Sequence, residues 1–406
     1  MSRNRTETWL ALIVVGIGLI PVAIMGLWAY MSATATPLHP NPKDAPSVIH
    51  STPPPRWADA VEQGRQIVRL GLTDQNLPGL SVAVGVGGDI VWAEGFGWAD
   101  LEKRVPVAPE MKFRIGTAST AITSAAVGLL LEEGRLDLDE DIQTYVPEFP
   151  QKQRPVTLRQ LMAHVAGVPD DGGDEGPLFT ERCERPADAY QFLSGYEREL
   201  LFEPGTQYHY SSYGWVAVSE AVEVAANEPF LTFMQKRIFE PLGMRDTRAD
   251  SRSEKIPNRA TPYFPRFAAD PRYGLQLTRP TDYSCWAGAS VFLSTPSDLV
   301  RFGMAINSGT LLQPATVQLL QASQRLSSGE ETGYGLGWDI ENVTLADAHT
   351  RWVGHDGTSF GGTVTSLMTF PERGIVVAVT SNISYTDTEA LALKIAQAFA
   401  EHASSK

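Results

Sequence analysis

The segment Phe113-Arg114-Ile115-Gly116-Thr117-Ala118-Ser119-Thr120 leads into a mostly apolar, alanine-rich stretch of the chain. Residues 118–133 contain no proline and are followed by Gly134, a residue that commonly ends helices. The pattern predicts a buried helix that begins beside Thr117. Because residues three apart are neighbours on a helix, Thr117 and Thr120 should face the same side of its first turn.

Strand-like and helical segments surround this helix in an informative order. Four short β-rich runs are predicted strands, at residues 80–86, 90–96, 362–369 and 374–380. Helical spacing predicts helices at residues 57–72, 158–163, 187–200, 215–226, 229–238, 296–308 and 387–402. Since strands lie early and late with mostly helices between them, we predict an α/β (α+β) fold. It would be one antiparallel sheet flanked by helices, with a helical region over one side.

The N-terminal segment predicts a membrane anchor. Residues 9–31 contain no Asp, Glu, Lys or Arg and exceed the length of about 20 residues that a hydrocarbon layer requires. Arg3 and Arg5 predict a cytoplasmic tail at residues 1–8, with the rest of the chain facing the periplasm or outside. We therefore expect a single-pass inner (cell) membrane protein with the lipid bilayer as a partner. A signal peptide cleaved near Ala33 and Ala35 is the alternative, although the apolar run is long for one.

Composition limits the rest of the chain. Residues 32–56 are rich in Pro, Ser and Thr and predict an extended linker before one domain at residues 57–406. The formal net charge of -14 disfavours nucleic acid as a partner. The two cysteines, Cys183 and Cys285, exclude a disulfide-rich scaffold. They lie far apart in different contexts, so we expect two free, partly buried thiols rather than a disulfide.

Six segments in a fixed order carry a family resemblance. They are Phe113-Arg114-Ile115-Gly116, Leu161-Met162-Ala163-His164 with Gly167-Val168-Pro169, Glu203-Pro204-Gly205, Tyr210-Ser211-Ser212-Tyr213-Gly214, Trp286-Ala287-Gly288 with Leu293-Ser294-Thr295, and Gly354-His355-Asp356-Gly357. Together they resemble the β-lactamase and penicillin-binding-protein superfamily, in particular its class C-like branch and the serine β-lactamase-like proteins of mitochondria. The resemblance covers nearly the whole domain and implies a β-lactamase/transpeptidase-like fold.

The resemblance implies a Ser-x-x-Lys motif that this chain lacks. In the family, a serine attacks an acyl carbon and a lysine three residues later takes or relays its proton. Here Thr117 stands at the nucleophile position and Thr120 at the base position. Thr117 carries an extra methyl group that crowds attack, and Thr120 has no group that titrates near neutral pH. General base assistance is typically worth about 10²–10⁴-fold, so we expect little acyl transfer.

Two further motifs supply the other predicted site residues. Tyr210 matches the tyrosine of a family Tyr-x-Asn motif, in which it would help to move a proton, and Ser212 replaces the Asn. His355, Gly357 and Thr358 would lie on a pocket-bordering strand whose backbone N–H helps to bind an oxyanion. We therefore expect Tyr210 beside the two threonines, and Ser212, His355, Gly357 and Thr358 as ligand-binding residues.

Simpler interpretations compete with several of these predictions. The tyrosines around Tyr210 would also fit a plain aromatic cluster, and His355 a hydrogen-bonded loop histidine. His164 follows a predicted helix, and we interpret it as structural. Asp170, Asp171 and Asp174 form an acidic loop for which solvation is favoured over cation binding. No metal-ligand spacing, phosphate loop or dinucleotide fingerprint is present in the sequence, so no metal or cofactor is expected.

Three functions follow from these residues. The favoured one is a ligand-binding or scaffolding pseudoenzyme that holds a small molecule or peptide in an inherited pocket. A weak acyl hydrolase (peptidase, esterase or β-lactamase) that uses Thr117 and Tyr210 is the alternative. A membrane-tethered scaffold with a vestigial pocket is the third, and a homo-oligomer is compatible with each.

Overall fold

Thirteen strands are present in the part of the chain that the computed structural model describes, residues 24–150, 152–170, 179–192, 199–359 and 361–404. They are β1 Ser47–Ile49, β2 Gly79–Val86, β3 Asp89–Asp100, β4 Val105–Pro106, β5 Phe113–Arg114, β6 Arg248–Ala249, β7 Tyr263–Pro265, β8 Leu275–Leu277, β9 Phe292–Ser294, β10 Asp339–Leu345, β11 Ala348–Ser359, β12 Thr363–Phe370 and β13 Ile375–Ser381. Eight of them form one antiparallel sheet in the order β1-β3-β2-β13-β12-β11-β10, with β4 beside β3. The early hairpin and the late strands therefore share one sheet, as the sequence predicts.

Helices cover both faces of this sheet. They are α1 at residues 24–33, α2 Ala58–Asp74, α3 Ser119–Glu132, α4 Ile142–Tyr145, α5 Leu158–Met162, α6 Ser212–Ala226, α7 Phe230–Met234, α8 Pro296–Ser308, α9 Pro314–Leu320 and α10 Thr388–Ser404. Single-turn 3₁₀ helices occupy Pro42–Asp44, Pro55–Trp57, Gly116–Ala118, Pro186–Gln191, Pro271–Tyr273, Ser284–Trp286 and Pro371–Arg373, and a π turn, Gln235–Phe239, follows α7. This mixed architecture is the predicted α/β fold.

Two apolar cores lie on opposite faces of the sheet. On one face α2 and α10 pack together, and Leu72, Trp92 and Phe399 are among their fully buried side chains. On the other face α8 lies against β2 and β13, and the helical region built around α3 and α6 continues that core. Every residue of β12 and β13 is buried, which explains why both strands read as continuous apolar and small-residue runs.

The segment predicted as a linker packs on the domain. Within residues 32–56, β1 pairs with β3 at the edge of the sheet, and His39 lies 3.1 Å from the carbonyl oxygen of Pro78. Backbone pairing holds β1 in place, and His39 and Ala45 are buried. The prediction of a plain extended linker is therefore wrong for this part of the segment.

The predicted anchor at residues 9–31 lies largely outside the described residues. Residues 24–33, which overlap its end, form α1. None of the helices in the described ranges has both the length and the apolar character that a membrane crossing requires.

The prediction of two free thiols is wrong. Cys183 and Cys285 form a disulfide, with their Cα atoms 4.9 Å apart. The two residues are separated by 102 positions in the sequence, but the turn Pro186–Gln191 packs against the turn Ser284–Trp286 and brings them together. Spacing along the chain could not reveal this contact, because it depends on how the helical region folds back.

Candidate functional site

The site is centred on the 3₁₀ turn Gly116–Ala118, which carries Thr117 at the entrance to α3. This turn packs directly on the backbone of β11. A Cβ atom on Gly357 would lie 1.8 Å from the carbonyl oxygen of Ile115, and one on Gly116 would lie 2.6 Å from the carbonyl group of Thr358. Gly116 also has a φ of +54°, a conformation that favours glycine. Both glycines are therefore required for the turn and the strand to meet.

The two threonines are held by backbone carbonyl groups. The Thr117 hydroxyl donates to the carbonyl oxygen of Asp356 at 3.2 Å, across the contact between turn and strand. The Thr120 hydroxyl donates to the carbonyl oxygen of Thr117 at 2.8 Å and is fully buried. Thr117 is only half-buried, so its hydroxyl is the more accessible of the two.

Tyr210 lies over this turn on a loop that His164 fixes in place. The amide of Ser211 donates to Nδ1 of His164 at 3.0 Å, and the amide of His209 donates to the His164 carbonyl oxygen at 2.9 Å. The rings of His164 and Tyr210 are stacked with centroids 4.0 Å apart. The Tyr210 hydroxyl is buried and has no hydrogen-bond partner among the described residues.

Tyr334 and His355 form the opposite wall. The Tyr334 hydroxyl and Nε2 of His355 are 2.9 Å apart, and both residues are buried. Nδ1 of His355 lies 2.5 Å from the carbonyl oxygen of Asp356. Because a carbonyl oxygen can only accept, Nδ1 carries a proton, and in the neutral ring Nε2 accepts from Tyr334. Asp356 therefore holds both His355 and Thr117 through one backbone oxygen.

Burial keeps two tyrosines and His164 of the site neutral. It raises the pKa of Tyr210 above its ordinary value, with Asp339 adding to the rise and the Thr117 hydroxyl opposing it. Burial also raises the pKa of Tyr334 and lowers the pKa of His164 well below its ordinary value. At neutral pH the tyrosines are protonated and His164 is uncharged, so Tyr210 cannot accept a proton there.

The side chain of Asp356 belongs to the other face of the sheet. Successive residues of a strand point to opposite faces, so Asp356 faces α10 while His355 faces the site. Burial raises the pKa of Asp356 to about 8, and the nearby carboxyl group of Glu389 on α10 adds to the rise. The strand thus presents its backbone to the site and a buried carboxyl group to the helix behind it.

The structure brings Thr117, Thr120, Tyr210 and His355 to one place, and Gly357 makes the contact that joins them. Ser212 begins α6, and its amide donates to Oδ2 of Asp170 at 2.6 Å. Thr358 is exposed near the end of β11. The other two aspartates of the acidic loop, Asp171 and Asp174, lie outside the described residues.

Two residues of the site were missed from the sequence. His164, which we interpret as structural, holds the loop that carries Tyr210 and stacks on its ring. The sequence patterns predict no role for Tyr334 or Asp339. The only sequence signal for Tyr334 is the glycine-rich aromatic run Tyr334-Gly335-Leu336-Gly337-Trp338, which lies outside the motifs that carry the resemblance.

The family follows from a match across this whole arrangement. The profile of the Beta-lactamase family matches residues 58–401, which include every residue of the site. The chain belongs to this family. Its relatives include the mitochondrial serine beta-lactamase-like protein LACTB of Mus musculus, which is 28% identical over 87% of this chain and 83% of the relative. Penicillin-binding protein 4* of Bacillus subtilis is 26% identical over 78% of this chain and 71% of the relative.

Solved structures support the same conclusion. The octameric penicillin-binding protein homologue from Pyrococcus abyssi superimposes with a TM-score of 0.69 and 25% identity, over 82% of this chain and 76% of that chain. A D-amino acid amidase from Ochrobactrum anthropi has the same fold, with a TM-score of 0.70 and 23% identity over 86% of this chain and 99% of that chain.

The comparisons overturn one prediction. We expected a single-pass inner-membrane protein whose domain faces the periplasm or outside. That location is contradicted, because the mouse and human relatives, each 28% identical, are named as mitochondrial proteins.

Proposed function

We propose that this protein is a member of the family that binds a small-molecule or peptide ligand in its pocket and performs little or no acyl transfer. The observation that carries the proposal is the burial and hydrogen bonding of the Thr120 hydroxyl. This hydroxyl is buried and donates to the carbonyl oxygen of Thr117. A hydroxyl in this position can neither accept the Thr117 proton near neutral pH nor supply a positive charge.

The alternative, a weak acyl hydrolase that uses Thr117 and Tyr210, has less support. A tyrosine acts as a base only when it is ionised, and burial raises the pKa of Tyr210. His164 offers no substitute, because Nδ1 accepts the Ser211 amide and burial keeps the ring neutral with its proton on Nε2. The Thr117 hydroxyl proton therefore has no evident acceptor besides the Asp356 carbonyl group.

Covalent labelling tests the proposal. The full-length protein is incubated with a fluorescent penicillin and, separately, with a fluorophosphonate, and each product is analysed by intact mass. We expect no adduct, because attack by Thr117 lacks a base. A stoichiometric adduct that maps to Thr117 would overturn the proposal and favour the hydrolase.

A double variant provides the control. Thr117→Ser with Thr120→Lys supplies the nucleophile and base that the family resemblance implies. The variant keeps Gly116 and Gly357, and in the folded protein labelling should rise by at least about 10²-fold, the low end of a general-base effect. A folded double variant that stays unlabelled would show that these two positions were wrongly matched to the family motif.

A further inference from the structure

Five rings of the site pack together into an aromatic wall: His164, Tyr208, Tyr210, Tyr334 and His355. Centroid distances from His164 are 4.0 Å to Tyr210, 4.8 Å to Tyr334 and 5.9 Å to Tyr208. His355 completes the wall at 5.8 Å from Tyr334 and 6.4 Å from Tyr210. Tyr208 is 40% exposed, so the outer part of the wall is open to a ligand.

Two carboxylates give this wall a negative charge. The carboxylate of Asp339 lies 3.9 Å from Nδ1 of His355 and is 38% exposed, and no Lys or Arg in the described ranges forms a salt bridge with it. Burial is the main cause of the raised pKa of Tyr208, Tyr210 and Tyr334, and the charge of Asp339 adds to the rise in each. Asp170, which accepts the amide of Ser212, adds to the effect at Tyr210.

The remaining polar groups of the wall suit a donor with a positive charge. The buried Tyr210 hydroxyl has lone pairs and no partner within the described part of the chain. The Thr117 hydroxyl donates its hydrogen bond to the backbone carbonyl oxygen of Asp356, so the lone pairs of its oxygen can accept from a ligand. His164 adds no charge that would repel a cation, because its Nδ1 accepts an amide and the buried ring is neutral.

We infer that the pocket binds a ligand through a primary ammonium group, held between the hydroxyl oxygens of Thr117 and Tyr210 on the side of Asp339. This inference rests on the proposed function and names the ligand class of that site. A primary ammonium has three N–H donors for the two hydroxyls and the carboxylate. The faces of the tyrosine rings add a cation–π attraction that a neutral ligand would not gain.

The same arrangement disfavours anions. A ligand carboxylate at this position would meet the Asp339 and Asp170 carboxylates with no cationic side chain paired to Asp339. Like charges placed together in a partly desolvated site cost binding free energy. The pocket should therefore distinguish ligands by charge even when their shapes are the same.

Three probes test the inference: benzylammonium, benzyl alcohol and phenylacetate. They share a benzyl group and differ in the charge of the group attached to it. Their binding to the full-length protein is measured by isothermal titration calorimetry at pH 7. We expect benzylammonium to bind at least about tenfold more tightly than benzyl alcohol, and phenylacetate not to bind. Equal affinities, tighter binding of phenylacetate, or no binding of any probe up to 10 mM (roughly 3 kcal/mol) would each overturn the inference.

Variants locate the effect. Asp339→Asn should weaken benzylammonium about tenfold and leave benzyl alcohol unchanged, whereas Asp347→Asn, an exposed residue on the turn between β10 and β11, should change neither. Thr120→Lys places an ammonium group inside the pocket and should abolish benzylammonium binding. An unchanged affinity in folded Asp339→Asn contradicts the inference.

These results are independent of the covalent labelling. Equal binding of the charged and neutral probes, with no adduct at Thr117, would overturn the inference of an ammonium ligand. The proposed function, a pocket with little or no acyl transfer, would still stand. An adduct at Thr117 would overturn the proposed function, whichever of the three benzyl compounds binds.

Discussion

At the scale of single residues, the site depends on two glycines as much as on its polar side chains. Gly116 and Gly357 let the turn before α3 lie on the backbone of β11, and the hydrogen bond from Thr117 to Asp356 crosses this contact. Any side chain at either position would push the turn and the strand apart. The position of the Thr117 hydroxyl is therefore set by backbone packing.

Replacing Gly357 with alanine tests this dependence. The new methyl group would lie 1.8 Å from the carbonyl oxygen of Ile115, which cannot move without moving the turn. We expect Gly357→Ala to lower the free energy of unfolding by about 1–3 kcal/mol, measured by chemical denaturation. Gly214→Ala in α6 is the matched control. Its added methyl group would have no neighbour closer than 3.5 Å, so stability should be unchanged or slightly higher.

The sequence predicted some of these residues because they lie in recognisable motifs. Thr117, Tyr210 and His355 lie in or directly after one of the six ordered motif segments, and Thr120 lies three residues after Thr117. Tyr334 and Asp339 lie outside those segments, and they reach the site because the chain returns to it at β10 and β11. Such a contact depends on strand pairing at long range, which no local pattern reports. The interpretation of His164 as structural did not name its partners for the same reason, since residues 209–211 are more than 40 positions away.

At the scale of secondary-structure elements, a buried ionic cluster joins β5 to the region of β6. Asp250 accepts from Nε of Arg114 at 2.7 Å and pairs with Arg259 at 3.0 Å. The guanidinium of Arg114 also lies 4.5 Å from the ring centroid of Tyr283. Tyr283 in turn contacts Ser359 at the end of β11, so this cluster supports the strand that carries the site.

Removing Asp250 should therefore be costly. Asp250→Ala leaves the buried guanidinium of Arg114 and the partly buried one of Arg259 without their shared carboxylate. We expect a loss of about 3–5 kcal/mol in the free energy of unfolding. Glu254→Ala breaks the exposed ion pair with Arg248 and serves as the comparison, with an expected change of at most about 1 kcal/mol. Similar losses for the two variants in thermal or chemical unfolding would contradict this account.

Element boundaries followed from the sequence where local signals were strong. Residues 296–308 were predicted as a helix, and α8 has these bounds, because Thr295 caps it and Gly309 ends it. Local pattern predicts no strand around His355, but the segment lies inside β11. Its glycines suggested a loop. In the structure Gly354 instead allows close approach, since a Cβ there would lie 1.8 Å from the carbonyl oxygen of Leu367 on β12.

At the scale of the whole molecule, one covalent link ties two distant parts of the helical region together. The Cys183–Cys285 disulfide joins the segment just before Pro186–Gln191 to the turn Ser284–Trp286, next to Tyr283. A link across 102 residues restricts the unfolded chain strongly. It should therefore contribute to global stability more than to local geometry.

Thiol chemistry tests the link directly. The protein purified without reductant and then denatured should show no alkylation by iodoacetamide, and two alkylated cysteines after reduction. The double variant Cys183→Ser with Cys285→Ser should lose about 2–4 kcal/mol of stability in chemical denaturation. Two reactive thiols in the unreduced protein would contradict the disulfide.

The contact between Gly116 and β11 has a consequence for how such a protein can change over generations. The close approach is between main-chain atoms, so it is set by Gly116 and Gly357 rather than by the side chains at 117 and 120. Under the proposed function, mutations at these two positions would remove chemistry and leave that close approach in place. The same reasoning applies in reverse, since Thr117→Ser with Thr120→Lys would restore the two residues of the family motif.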